Sequence, residues 1–211
     1  MITIIDCGTN NLGSMANMLN KIGQTSRIAS APDQLEEATK IIVPGVGSFD
    51  AGMQKLTQSG MIPLLNRKVI EERVPTLGIC LGMHLMTRSS EEGMLPGLGW
   101  VAANTVRFNQ VADPNLRVPH MGWNKVRAVK EISLIANMED ETRFYFAHSF
   151  FVKPDHASDV LLEAHYGTSR FAAAVVHDNI VAVQFHPEKS HKFGMWFLKN
   201  FAESSWCSGR V

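Results

Sequence analysis

Apolar residues along this chain follow two rhythms. In the first half, short continuous runs alternate with stretches at helical spacing. Ile2 to Ile5 is such a run, closed by Asp6-Cys7-Gly8, and has the form of a strand buried on both faces. Leu12, Met15, Ala16, Leu19 and Ile22 recur one helical turn apart, with Gly23 placed to end the helix. Arg27 to Ala29 reads as a second strand, Pro32 to Ala38 as a short helix, and Lys40 to Val43 as a third strand stopped by Pro44-Gly45. Ile62, Leu65, Val69 and Ile70 predict a helix, Thr76 to Ile79 a strand, and the residues after Gly82 a helix carrying Met83, Leu85 and Met86. This alternation predicts a parallel sheet with helices on both faces.

The second half is dominated by strands. Trp100–Phe108, Asn124–Val129, Phe144–Ala147, Val160–Tyr166, Phe171–His177 and Ile180–Phe185 all have strand character, and Asp178-Asn179 makes a tight turn between the last two. A final helix from Lys192 to Ala202 buries Phe193, Trp196, Phe197 and Phe201. With no linker, repeat or break in composition, residues 1–211 form one α/β domain. It has a mostly parallel central sheet flanked by helices, extended by antiparallel hairpins in its second half.

Composition narrows the function. At 211 residues, 45% hydrophobic and 19% charged, the chain has material for its own core. Twenty basic residues balance twenty acidic ones, which removes the electrostatic case for nucleic acid or a membrane surface as the main partner. The first residues read as a strand rather than a signal peptide. Three scattered cysteines, Cys7, Cys80 and Cys207, make neither a disulfide framework nor a zinc site. A soluble cytoplasmic protein without metal or other cofactor is expected.

Gly78-Ile79-Cys80-Leu81-Gly82 joins an apolar strand to a helix, the setting of a nucleophile elbow. The glycines relieve crowding at the sharp turn. The helix start favours a thiolate, and the Leu81 amide faces the place where an oxyanion would form. An inert cysteine between two packing glycines is the competing reading. Gln184-Phe185-His186-Pro187-Glu188 ends another apolar strand and offers a base with a carboxylate two residues on. Taken alone, His186 also reads as a structural histidine, Glu188 as a solvated carboxylate and Lys189 as a solvated charge. Pro44 to Phe49 follows the third strand, and its small residues let backbone amides approach a ligand. It is either part of an oxyanion hole or a plain turn.

Together these segments resemble the class I, triad-type glutamine amidotransferases, and within them the glutaminase subunits of imidazole glycerol phosphate synthases. The match runs nearly end to end, through Ile5-Asp6, Gly8, Asn11-Leu12, Pro44 to Gly47, Gly78 to Met83, Ser90 to Glu92, Pro119 to Asn124, Phe144 to Phe146, His148-Ser149 and Gln184 to Ser190. The resemblance implies Cys80 as nucleophile, His186 as general base and acid, and Glu188 as its orienting carboxylate. It implies oxyanion donors around Val46 and Gly47 and at Leu81. The L-glutamine pocket would comprise Gly45, Gly82, His84, Glu92, Ser149 and Phe150. Asn11, His120, Met121, Trp123, Asn124, Tyr145 and Lys189 match the face and ammonia gate that meet a (β/α)8-barrel cyclase subunit in an obligate heterodimer. That cyclase makes imidazole glycerol phosphate and AICAR in histidine biosynthesis.

His84 departs from the family pattern, which has glutamine there, and Phe150 stands where tyrosine is frequent. If His84 contacts the substrate's α-carboxylate and titrates near the ordinary ~6.5, KM should rise with pH. Supply of ammonia to a different synthase, such as one amidating sugars of surface polysaccharides, and a catalytically weak scaffold subunit remain alternative readings.

Overall fold

The computed structural model describes residues 1–8, 12–111 and 113–207. Its main sheet contains eight strands: β1 (Ile2–Ile5), β2 (Ser26–Ala29), β3 (Lys40–Val43), β4 (Thr76–Ile79), β7 (Arg127–Ala128), β10 (Val160–Tyr166), β11 (Ser169–His177) and β12 (Ile180–Val183). They lie in the order β2-β1-β3-β4-β12-β11-β10-β7. From β2 to β12 all neighbours are parallel, and from β12 to β7 all are antiparallel. The predicted parallel sheet and its antiparallel extension are both present. β5 (Ala103–Arg107) pairs with β9 (Phe150–Pro154), and β6 (His120–Lys125) with β8 (Arg143–His148), as two separate hairpin-like ladders.

Helices α1 (Leu12–Lys21), α2 (Phe49–Gln58), α3 (Ile62–Asn66), α4 (Leu81–Leu85) and α5 (His191–Glu203) cover the sheet. The buried side chains fall into two clusters. One joins Ile4, Ile42, Leu77 and Val181 to Leu19, Phe197 and Phe201; the other joins Ile5, Ile41, Val43 and Ala182 to Leu56, Leu65 and Leu85. Alternate residues of the same strands feed opposite clusters, as a sheet buried on both faces requires.

Several boundaries differ from the sequence reading. The helix expected through Ile70 is α3 followed by a π-helical turn, Arg67–Glu71, and the segment beginning at Pro32 is a 3-10 turn ending at Leu35. The strand placed at Asn124–Val129 is two strands: β6 begins at His120, and Val126 separates it from β7. The strand expected over Trp100–Phe108 narrows to β5. The Asp178-Asn179 turn is present, with Asp178 at φ 50°. Asn179 is buried there, its side chain donating to the Val69 and Val74 carbonyls at 2.9 Å each.

Candidate active site

Three neighbouring parallel strands end side by side. Val43 of β3 pairs with Gly78 of β4, and Ile79 of β4 pairs with Val183 of β12. The Pro44–Gly47 loop, Cys80 and the Gln184–Glu188 segment therefore emerge together at the carboxyl edge, where open α/β sheets place their sites. Cys80 follows β4 directly, its amide donating to the Val183 carbonyl at 2.8 Å. Its backbone lies at φ 52°, ψ −106°, a conformation that is strained for a side-chain-bearing residue and persists because its surroundings enforce it.

The flanking glycines make the turn possible. A Cβ on Gly78 would come within 2.7 Å of the Met86 sulfur, and one on Gly82 within 1.7 Å of the Val43 carbonyl oxygen. A Cβ on Gly45 would lie 2.6 Å from the Leu81 Cβ. Gly45 and Gly82 thus set the close approach of α4 to the end of β3. The cavity walls are formed by their neighbours Val46 and Leu81.

His186 and Glu188 form a buried pair, with His186 Nδ1 2.8 Å from Glu188 Oε1. The backbone N–H of His186 donates to the Tyr145 carbonyl at 2.9 Å, and Ser190 Oγ donates to the His186 carbonyl at 2.6 Å. His186 Nε2 is buried without a hydrogen bond of ordinary geometry. Burial alone would hold the ring neutral. The Cys80 sulfur and the Glu188 carboxylate outweigh it and raise His186 to about 10. The protonated imidazolium is therefore the favoured form of His186 at neutral pH.

In front of the thiol lies a cavity of about 330 Å³ lined by Val46, Gly47, Cys80, Leu81, His84, Glu92, Pro119, Met121, Ala147, His148, Ser149 and Phe150. This volume suits a small-molecule ligand. A larger depression of about 780 Å³ runs along Val126–Asp140, but no cysteine or histidine lines it. Glu92 is solvent-reached, and its Oε2 accepts from the Phe49 N–H at the start of α2 at 3.0 Å.

The Leu81 amide donates to the Gly45 carbonyl at 3.4 Å. That carbonyl shares its peptide plane with the Val46 N–H. Rotating this one plane would release the Leu81 donor and turn the Val46 donor inward. Gly47, at φ 137° with no side-chain neighbour closer than 4.0 Å to a built Cβ, supplies the conformational freedom beside it.

His84 and most of the expected partner-face residues lie among the described residues. His84 lines the cavity, but burial pushes it down to about 4, against the opposing effect of its hydrogen bond with Gln184. Along β6, Met121 and Trp123 are exposed (62% and 44%), whereas His120 is buried at 3%. The Trp123 ring stacks on His191 with centroids 5.6 Å apart. Lys189 is exposed, its Nζ 5.9 Å from the Tyr145 ring centroid. Asn11 lies outside the described residues.

His120 and Asn124 instead serve an internal chain. His148 Nδ1 lies 2.7 Å from the Phe150 carbonyl, His120 Nδ1 3.0 Å from His148 Nε2, and Asn124 Nδ2 3.3 Å from His120 Nε2. A carbonyl only accepts, so His148 carries its proton on Nδ1, His120 donates to it, and Asn124 donates to His120. Burial keeps both rings neutral, His120 at about 4 and His148 well below the ordinary histidine range. This chain and the side chain of Gln184 had no role in the sequence reading. Gln184 gave a signal nonetheless, since a polar residue continuing a buried apolar strand requires partners.

A strained cysteine elbow backed by a buried His–Glu pair, at the carboxyl edge of a parallel sheet, has the geometry that acyl-transferring thiol chemistry requires. The family model for class I glutamine amidotransferases matches residues 3–204, and the chain belongs to that family. Solved structures share the fold. A glutamine amidotransferase crystal structure superposes with a TM-score of 0.71 at 18% identity, covering 95% of this chain and 98% of the other.

Curated relatives include subunits of one synthase. A Methanococcus maripaludis protein named imidazole glycerol phosphate synthase subunit HisH 2 is 49% identical over 97% of this chain and 100% of its own length. A Pseudomonas aeruginosa protein of the same name is 45% identical over 96% and 99%, and the Bdellovibrio bacteriovorus subunit HisH is 45% identical over 96% and 100%.

Proposed function

We propose that the chain is a single-domain glutaminase subunit of imidazole glycerol phosphate synthase, with Cys80, His186 and Glu188 as its catalytic triad. The observation that carries this reading is the meeting of three strand ends: the β3 loop and the β4 thiol line one cavity, and the buried imidazole–carboxylate pair after β12 stands behind the thiol, whose sulfur acts on the imidazole. The Cys80 thiolate attacks the side-chain carbonyl carbon of L-glutamine. The tetrahedral intermediate collapses as its C–N bond breaks, and His186 gives its proton to the departing nitrogen, releasing ammonia. A γ-glutamyl thioester remains. His186, now neutral, takes a proton from water, and the resulting attack breaks the C–S bond to give glutamate and restore the thiolate.

Glu188 holds the ring through both proton transfers. The donors for the intermediate's oxyanion are the Leu81 and Val46 amides, brought into line by rotation of the Gly45–Val46 peptide. Glu92 and the backbone at Ser149-Phe150 receive the substrate's α-amino and α-carboxylate groups. The partner is a (β/α)8-barrel cyclase that consumes the ammonia, and exposed Met121 and Trp123, with Tyr145 and Lys189 nearby, form the face that meets it. The pair works in the cytoplasm. No helix among the described residues is long and apolar enough to cross a membrane.

The test is Cys80→Ala in complex with the cyclase. Glutamine-dependent synthesis should vanish while ammonium-dependent synthesis continues, because only the former needs the sulfur. Full glutamine-dependent turnover by the variant would remove Cys80 from the mechanism.

A further inference from the structure

Gln184 stands between His84 and the nucleophile. It continues directly from β12, is wholly buried at 0% exposure, and anchors its backbone through a 2.9 Å bond to the Ala173 carbonyl. Its side-chain Oε1 lies 2.9 Å from His84 Nε2, and its Nε2 lies 3.9 Å from Cys80 Sγ. His84 rides on the same turn as the nucleophile, its amide donating to the Cys80 carbonyl at 3.2 Å. The Cys80 amide in turn is bound to the residue preceding Gln184. The backbones of all three residues are thus tied by hydrogen bonds.

Donor and acceptor roles follow from the chemistry. An amide oxygen only accepts, so His84 holds its proton on Nε2 and donates it to Gln184. The Gln184 NH2 group is then turned to the sulfur. The opposite amide orientation would set an oxygen lone pair against a thiolate, so the orientation locked by His84 is the one that suits the charged nucleophile.

We propose that Gln184 is a positioning residue that donates a hydrogen bond to the Cys80 thiolate, and that His84 acts by locking this amide rather than by binding the substrate's α-carboxylate. The inference rests on the reading of Cys80 as the nucleophile. It gives the histidine that departs from the family pattern a role inside the catalytic centre. Neutral or protonated, the ring offers Nε2–H to the Gln184 oxygen, so the lock does not open as pH falls.

The test is the rate of iodoacetamide alkylation of Cys80 in the full-length chain as a function of pH, resolved by peptide mapping. Cys7 is silent in this assay, since burial, reinforced by Asp6, raises it to about 12. Mapping separates Cys207. Gln184→Met keeps the volume and removes the donor. The alkylation midpoint should rise by about 1 in pH, a tenfold loss in the thiolate equilibrium, at the low end for a charge-assisted bond because the contact is long. Gln184→Glu should raise it further by setting a carboxylate against the sulfur. His84→Phe frees the amide to turn and should give a smaller rise.

A residue that only packs would leave the midpoint of Gln184→Met where it is in the wild type, and that result overturns the proposal. Should the methionine variant not fold, an unchanged midpoint in His84→Phe overturns it equally. The readout is the thiol and not turnover, so failure of the glutaminase reading in the Cys80→Ala assay stays distinguishable from failure here.

Discussion

Replacing Glu188 by glutamine isolates one charge in the proposed triad. The amide keeps an oxygen that can accept from His186 Nδ1, so the 2.8 Å contact and the ring's tautomer can survive. The negative charge that favours the imidazolium is lost. Exchanging a charge-assisted for a neutral hydrogen bond removes ~1 kcal/mol or more. The full attraction of unit charges at ~4 Å in an effective dielectric of 20 is ~4 kcal/mol, an upper bound. The glutaminase kcat of the cyclase complex should therefore fall by roughly 10- to 10³-fold, with KM little changed because Glu188 does not line the cavity.

Stability adds a second readout. His186 is raised from 6.5 to about 10 in the folded chain, so its contribution is fully present below 6.5 and is lost as pH rises through about 10. The variant, having lost part of that raise, should be less stable than wild type at pH 6, and the gap should narrow toward pH 10. Steady-state kinetics and thermal melts across this range decide the matter. A kcat within threefold of wild type, with a stability gap that does not change with pH, would refute the electrostatic role given to Glu188.

Gly82→Ala places a Cβ 1.7 Å from the Val43 carbonyl oxygen, so β3 and α4 must separate; melting should show a loss of ~1–3 kcal/mol and glutaminase assays a loss of about 10²-fold. Activity within twofold of wild type would contradict the close-approach role of this glycine. Because His84 lies near 4, the KM for glutamine should vary less than twofold between pH 6 and 8.5, and a rise with its midpoint near 6.5 would show that an exposed, titrating His84 meets the substrate. The Leu81 donor is engaged by the Gly45 carbonyl, so the isolated chain should turn over glutamine roughly 10²–10³-fold more slowly than the cyclase complex with its ligand bound; equal rates would rule out partner-dependent assembly of the oxyanion hole.

The parallel strands were readable because each is a short apolar run closed by a turn residue, and their ends carry the chemistry. Cys80, His186 and the Pro44–Gly47 loop could thus be brought to one edge from pattern alone. Helix α2 has a weak sequence signal, although Phe49, Met53 and Leu56 face the core, because Gly52 fills the remaining inward position and weakens the apolar stripe. Strand β9 escaped because it is short, includes Lys153 and ends in proline. The protonation of His84 is not legible in the sequence for a different reason. Its helical position correctly puts it on the cavity, but burial and its bond to Gln184, a hundred residues away in sequence, decide its protonation. Similarly, Pro119–Asn124 reads as a single recognition segment, yet the pleat of β6 sends Met121 and Trp123 outward and His120 into the His148 chain.

The covalent intermediate on Cys80 offers the most direct test of the proposed function. The cyclase complex, turning over glutamine labelled in its carbon chain, can be quenched in acid and digested for peptide mapping. A γ-glutamyl label released by hydroxylamine should reside on the peptide containing Cys80 and be absent from Cys80→Ala. Steady glutamine turnover with no label on that peptide, or with the label attached to another residue, would contradict the account.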